Sequence, residues 1–325
     1  MDDGRPVVGV DLGGTKVLAG VVDHDGKVLS RYKAKTRQYK DQPSELLDLI
    51  AESVHGAIGD AHLELSAIGA VGVGVPGALD KTREVVSVAP NLGWFNLPAR
   101  SELSSRLNGI TVRLENDVRS AALAEHVWGA GSGTQSMVAI FVGTGIGGGL
   151  IDHGELEHGS HGGAGEIGHT VIRAGKGRCS CGQKGHLEAL AARPAVTSYI
   201  ARRVKRGEKT LLVGRNHGRT DVRFLTSGDV EAAVKKGDAL AIRAVQRSAR
   251  YVGLACGSLI NLLDPERIVL GGGLVDALGE QYVDWAGEAA RPHILSKLAH
   301  DTPIVAAKLG DDSGLLGAAL TARQP

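Results

Sequence analysis

Pro6-Val-Val-Gly-Val-Asp-Leu-Gly-Gly-Thr-Lys-Val-Leu-Ala-Gly-Val-Val-Asp23 decides how the rest of the chain is read. Two valine-rich runs flank Gly13-Gly14, and Asp25-Gly26 marks the next turn, so the segment predicts a β-hairpin with a glycine tip. Glycine at such a tip exposes backbone N–H groups that a Cβ would shield from phosphate oxygens. Asp11 ends the first run and is placed to hold Mg²⁺ directly or through water. Gly13, Gly14, Thr15 and Lys16 are then the groups to meet phosphate. Taken alone, the motif is also compatible with a plain tight hairpin.

Downstream, Ser44 precedes apolar spacing through Ile58 and predicts a capped amphipathic helix, and Ile68 to Val75 predicts a buried strand. A helix around Ser101 to Leu107 leads to the apolar run Ile110 to Leu114, which passes directly into Glu115-Asn116-Asp117. Helix and strand alternate, as in α/β folds, and ligands of such folds gather at the carboxyl ends of strands. Asp117 is therefore the candidate general base for a substrate hydroxyl, with the Asn116 amide beside it to hold a ligand. The competing reading makes Asp117 the cap of a small-residue helix running from Val118 to about Trp128.

The strand Met137 to Val142, followed by Gly143-Thr144-Gly145-Ile146-Gly147-Gly148-Gly149, repeats the strand, glycine turn and strand of the opening segment. A duplicated architecture with two facing hairpins is expected. Lys205 to Gly228 reads as a surface excursion, and Asp238 to Leu263 as a long helix ending at Asp264-Pro265. Arg267 to Leu270 then enters a third glycine turn, Gly271-Gly272-Gly273. Gly143, Thr144, Gly145, Gly147, Gly271, Gly272 and Gly273 join the candidates for nucleotide contact. None of the turns has P-loop spacing, and the second lacks the helix and later acid of a dinucleotide site.

Cys179-Ser-Cys-Gly-Gln-Lys-Gly-His186-Leu-Glu188, preceded by Glu166-Ile-Gly-His169, carries metal-ligand spacing. Cys179 and Cys181 can offer two thiolates from one knuckle, and His169 and His186 complete a tetrahedron suited to Zn²⁺. Four protein ligands leave no position for an activated water, so the metal would be structural. The alternative is a pair of inert thiols beside surface histidines, and Cys256 on its apolar helix receives the inert reading outright.

Composition bounds these readings. The chain has 325 residues, 42% of them apolar and 22% charged, which fits two globular domains with a cleft between them. With 3% aromatics and 47 glycines, the core must be aliphatic. A net charge of +1 gives no field for nucleic acid, and the lack of a long apolar run predicts a cytoplasmic chain without a membrane partner.

Asp11-Leu-Gly-Gly-Thr-Lys, Glu115-Asn116-Asp117, Gly143-Thr-Gly-Ile-Gly-Gly-Gly, Glu166-Ile-Gly-His169 and the Cys-x-Cys-Gly-x-x-Gly-x-x-Glu segment together resemble the ROK sugar kinases and repressors, nearest the bacterial glucokinases. The resemblance implies an α/β actin-like ATPase (ribonuclease H-like) fold of two lobes around a central cleft. Residues 1–118 with 311–325 would form the smaller lobe, and residues 119–310 the larger lobe with the metal site and dimer surface. It also implies ATP-dependent phosphorylation of glucose to glucose 6-phosphate. ATP would lie with Mg²⁺ along the glycine turns, and the enzyme would be a homodimer or a dimer of dimers. Asn91, Asn116, Asp117, Glu166, His169 and Glu188 would hold the sugar, with Asp117 as base. Related members act on N-acetylmannosamine, N-acetylglucosamine, fructose or mannose, some use polyphosphate, and a non-catalytic sugar sensor is the other alternative. Repressors of the family carry an N-terminal DNA-binding domain, whereas this sequence enters its first strand at Val7, so no nucleic-acid partner is expected. Where the family usually has a third cysteine, this chain has His186, which is also a competent zinc ligand.

Overall fold

In the computed structural model, which describes residues 4–213 and 225–324, the opening valines form β1 (Val7–Leu12) and β2 (Lys16–Val22). They pair antiparallel with Val10 opposite Ala19, and β3 (Tyr32–Lys35) extends the hairpin. The chain returns through α1 (Pro43–Asp60) so that β4 (Val71–Val75) lies parallel to β1. A small antiparallel sheet follows, made of β5 (Ala78–Leu79), β6 (Val86–Ala89) and β7 (Trp94–Leu97). α2 (Ala99–Arg106) then leads into β8 (Val112–Asn116), parallel to β4. Three boundaries differ from expectation. α1 starts at Pro43 and Ser44 is not its cap, because proline at the first turn has its φ preset and no N–H to satisfy. The strand expected from Ile68 begins only at Val71, after a short 3₁₀ turn over Leu65–Ala67. β8 runs on through Glu115 and Asn116, which buries the Glu115 side chain completely.

The second half repeats this order. After α3 (Asp117–Val127) come β9 (Met137–Val142), β10 (Ile146–Asp152) and β11 (Glu155–Leu156). Helices α4 (Leu187–Ala191), α5 (Arg193–Val204), α6 (Ser227–Lys235) and α7 (Ala239–Leu263) cross back to β12 (Arg267–Gly271), parallel to β9. α8 (Gly273–Leu278) and α9 (Glu280–Ala290) precede β13 (Ile304–Ala306), and α10 (Ser313–Arg323) closes the fold. One sheet runs β3-β2-β1-β4-β8 and the other β11-β10-β9-β12-β13, each an antiparallel hairpin edge followed by parallel strands. The duplication read from the glycine turns is therefore real, and the architecture is the actin-like ATPase fold. α7 has the expected limits: the Asp238 side chain accepts from the N–H groups of Leu240 and Ala241, and left-handed Asp264 ends it. Of the excursion expected over Lys205 to Gly228, residues 214–224 lie outside the described residues. Its end is already helical, since Thr226 and Asp229 form a capping box for α6. Among the described residues no helix is long and apolar enough to cross a membrane.

The last helix completes the first sheet. α10 lies on β1 and β4 and against α3, and its Leu315 and Ala319 share a core with Val7, Val22 and Ala124. Small residues permit this approach: a Cβ on Gly72 of β4 would fall 1.8 Å from the Ala318 carbonyl oxygen. Gly72→Ala must therefore push α10 off the sheet. It is expected to destabilise the protein by about 1–3 kcal/mol or more, read as a lower urea midpoint at unchanged slope.

Candidate active site

The ends of β1, β8 and β12 converge with the first turn of α10 on a cavity of about 220 Å³. Asp11, Lys16, Asp117, Gly272 and Gly273, all anticipated, line it together. So do Asp276 and Asp311, which no motif marked. Burial raises the Asp11 carboxyl, Lys16 opposes that shift, and the Asp311 charge adds to it. Asp276 is raised for the same first reason, then by Asp311 and Glu125. Asp117 is pushed up to about 6, chiefly by burial and next by the Asp11 charge, against the bond it accepts from the Val118 N–H. One lysine among four carboxylates makes the cavity hostile to a bare polyphosphate and suited to a cation–phosphate complex.

The helix cap beside this cavity is Asn116, not Asp117. Asn116 Oδ1 accepts from the N–H groups of Val118 (3.0 Å) and Arg119 (3.1 Å), while its Nδ2 donates to the Gly77 carbonyl (3.0 Å). One N–H of that amide is left for a ligand. Asp117 Oδ1 accepts from Val118 N at 2.9 Å, so the carboxylate sits on the helix N-terminus without being the cap. Behind it, Glu115 receives Arg83 (3.2 Å), His158 (2.7 Å) and the Asn116 N–H (2.8 Å). Burial works to raise Glu115, but the His158 bond and charge, with Asn116 N–H and Arg119, outweigh it and hold the carboxyl below its ordinary value. His158 was not foreseen. The only hint in the sequence is that an acid ending an apolar strand must find a donor.

The glycine turns divide in their tasks. Gly13 N–H is spent on the Lys16 carbonyl (2.8 Å) and its own carbonyl accepts from Thr36 Oγ1 (2.9 Å), which leaves Gly14 and Thr15 at the tip. Exposed Asn91 lies beside Gly14. In the second turn Gly143 N–H bonds the Gly145 carbonyl (2.9 Å) and β10 starts at Ile146. The glycine loop expected through Gly149 thus ends at Gly145. Gly147 is a strand residue whose missing Cβ admits Val118 of α3, because an added Cβ would lie 2.7 Å from that valine. Thr144 does not share the Asp117 cavity. It borders another space of about 520 Å³ whose lining includes Cys179, Ser180 and Glu188 as well as Arg173, Arg178 and Arg202. The third turn, with Gly272 at φ 85°, delivers the start of α8 to the Asp117 cavity, and Gly271 packs against Phe141 and Ala307.

The four candidate metal ligands come together, with donor atoms all within 4.8 Å of one another. Tetrahedral zinc with Zn–N of about 2.0–2.1 Å and Zn–S of about 2.3 Å requires edges of about 3.3 Å between nitrogens and about 3.6 Å between nitrogen and sulfur. His169 Nδ1 and His186 Nδ1 are 3.4 Å apart, Cys179 Sγ and His169 Nδ1 3.6 Å, and Cys181 Sγ and His186 Nδ1 3.3 Å. The donor set fits. Glu188 fastens this loop to the second glycine turn: Oε1 accepts from Ser180 Oγ (2.6 Å) and Cys179 Sγ (3.3 Å), and Oε2 from the Ile146 N–H (3.2 Å). Glu166 is exposed, 4.0 Å from His169 Nε2 and 4.0 Å from Arg119 Nη2.

A duplicated actin-like sheet pair, acidic strand ends and a Cys/His knuckle are joined in one chain, and it belongs to the ROK family, whose sequence profile matches residues 7–325. It is 34% identical to a glucokinase of Streptomyces coelicolor over 331 residues, 98% of each chain. A ROK family glucokinase from Streptomyces griseus, solved in complex with glucose and AMPPNP, superposes with a TM-score of 0.86 at 33% identity, covering 98% of this chain and 100% of that one. A xylose repressor of Caldicellulosiruptor bescii is 28% identical over 96% of this chain and 76% of its own.

The raised Asp117 carboxyl has a stability signature. Between about pH 4 and about pH 6 the folded state keeps a proton that the unfolded state has released, so stability falls as pH rises across that window. Asp117→Asn removes the cost while retaining an oxygen for Val118. The variant is expected to gain roughly 1–3 kcal/mol over the parent in urea unfolding at about pH 7, and nothing below about pH 4.

Proposed function

We propose that this chain transfers the γ-phosphoryl group of ATP to a hydroxyl of a hexose, converting glucose to glucose 6-phosphate, with Asp117 as general base. The observation that carries this reading is a carboxylate raised to about 6, on a helix N-terminus, in a cavity shared with Lys16, Asp11 and a glycine turn. The glucose and AMPPNP named for the S. griseus relative supply the two reactants.

The sugar oxygen attacks the γ-phosphorus in line, its proton passes to the Asp117 carboxylate, and the bond to the β–γ bridging oxygen breaks as ADP leaves. A carboxyl poised near neutrality accepts that proton more effectively than an ordinary aspartate. Lys16, Thr15 and the backbone of Gly14, Gly272 and Gly273 take the donor phosphates. Asn91, the spare N–H of Asn116, Glu166, His169 and Glu188 hold the sugar. Mg²⁺, held through Asp11, neutralises phosphate charge when bound. His169, Cys179, Cys181 and His186 would hold a structural Zn²⁺, which would brace the loop that carries Glu166 and Glu188. Residues 1–118 with 311–325 and residues 119–310 act as two lobes closing on the sugar.

A panel of hexoses and N-acetylhexosamines assayed with ATP and with polyphosphate tests this, with glucose and ATP expected to rank first in kcat/KM. Asp117→Asn should lower kcat by about 10²–10⁴-fold with sugar binding retained. Parental kcat should fall about tenfold per unit as pH drops below about 6, because protonated Asp117 cannot accept the proton. If parent and Asp117→Asn share the same negligible turnover while glucose binds, the chain is a sugar sensor instead.

Metal analysis of the purified chain should find zinc bound in the parent and lost in Cys181→Ala. Absence of zinc together with chelator-indifferent activity would remove the metal assignment.

A further inference from the structure

A cavity of about 120 Å³ that shares no residue with the Asp117 cavity is lined by Arg83, Arg100 and Arg113, with Thr82, Thr321 and Gln324. Three separate elements bring these arginines together: the turn between β5 and β6, the first turn of α2, and strand β8. Arg83 sits at φ 57°, a left-handed conformation that costs a non-glycine residue free energy, in a turn held by Asp80 bonds to the N–H groups of Glu84 and Val85. Its guanidinium donates to Glu115 (3.2 Å) and Gln324 Oε1 (3.3 Å). Arg100 pairs with Glu84 at 2.7 Å. Arg113 donates only to the Ala322 carbonyl (2.6 Å), and among the described residues no carboxylate lies within ion-pair distance of it. Burial, then the charges of Arg100 and Arg83, hold Arg113 below its ordinary value.

Like charges gathered in a partly desolvated pocket are unfavourable unless an anion joins them. Glu115 does not supply the balance, because His158 and Arg119 also draw on it. Guanidinium groups present planar donor forks that match the oxygens of phosphate in pairs, which a spherical halide cannot exploit. At about 120 Å³ the cavity has room for a tetrahedral oxyanion.

We propose that Arg83, Arg100 and Arg113 form a binding site for one small tetrahedral oxyanion, either inorganic phosphate or the phosphoryl group of a phosphate ester. The ligand spans β8, α2 and the β5–β6 turn, with the end of α10 forming one wall.

Calorimetric titration of the full chain with inorganic phosphate, and separately with glycerol 3-phosphate as an ester without a hexose, at constant ionic strength tests the site. Saturable binding in the millimolar range or tighter is expected, with no heat from chloride at matched ionic strength. Binding of phosphate identifies the free ion, and binding of the ester alone identifies an ester. Arg100→Gln and Arg113→Gln should each weaken the event at least tenfold, whereas Lys16→Gln, in the other cavity, should leave it intact. Arg113 also anchors α10, so Arg100→Gln, at the rim, keeps the test decisive if Arg113→Gln misfolds. Failure of both ligands to bind, unaltered binding in Arg100→Gln, or loss in Lys16→Gln alone would overturn the proposal.

Discussion

A fully buried carboxylate at the end of a parallel strand has to be met by donors, and the way Glu115 is met organises the region around the cleft. Its partners come from three places: Arg83 in the small sheet, His158 after β11, and Arg119 on α3, 3.8 Å away. Arg119 in turn donates to the Gly162 carbonyl, which lies on the segment leading to Glu166 and His169. One side chain therefore ties the first sheet to the segment of the second half that carries the candidate sugar and metal ligands. Breaking a buried pair of this kind typically costs about 3–5 kcal/mol, because the remaining charge is left uncompensated. Asn116 and Asp117 are the next two residues, so the position of the proposed base rests on that same anchor.

How much of this was legible in the sequence follows from how local each determinant is. The β1–β2 hairpin, the exact span of β9, both ends of α7 and the repeated sheet order were readable because periodicity, Asp caps and glycine turns act within a few residues. The clustering of the four candidate metal ligands was readable because Cys179, Cys181 and His186 are close in sequence and His169 lies on the motif just before them. A displacement of a residue or two arose where two local signals compete, as with Pro43 over Ser44, and the cap that the alternative reading gave to Asp117 falls on Asn116. What could not be read is what distant segments do to one another. His158 meets Glu115, and Asp276 and Asp311 reach Asp11, only through tertiary packing. Gly147 looked like part of a phosphate cradle and serves a helix instead, since a glycine's spacing does not say which neighbour needs the space.

The cysteine knuckle is joined to the second glycine turn through a single side chain. Its own backbone is modest: Cys179 N–H bonds the Gln183 carbonyl at 2.8 Å, and isolated bridges pair Val171 with His186 and Arg178 with Lys184. Glu188 gives the loop its reach, since it holds Ser180 and Cys179 with one oxygen and the first residue of β10 with the other. Burial works to raise that carboxyl, yet the bonds from Ser180, Ile146 and Cys179 prevail and keep it below its ordinary value. A histidine at 186 keeps donor spacings that a tetrahedral ion requires, so the departure from three cysteines alters charge more than geometry.

The seat of α10 on the first sheet has a consequence in time. Gly72 and Ala318 touch backbone to backbone, yet one is made early and the other near the end of translation. At about 5–20 residues per second, β4 leaves the ribosome roughly 10–50 s before the helix that covers it. Throughout that interval the face of the first sheet that α10 covers has no lid. The sheet whose strands are synthesised first is thus closed only when the last helix of the chain arrives, and until then its apolar face is open to other chains.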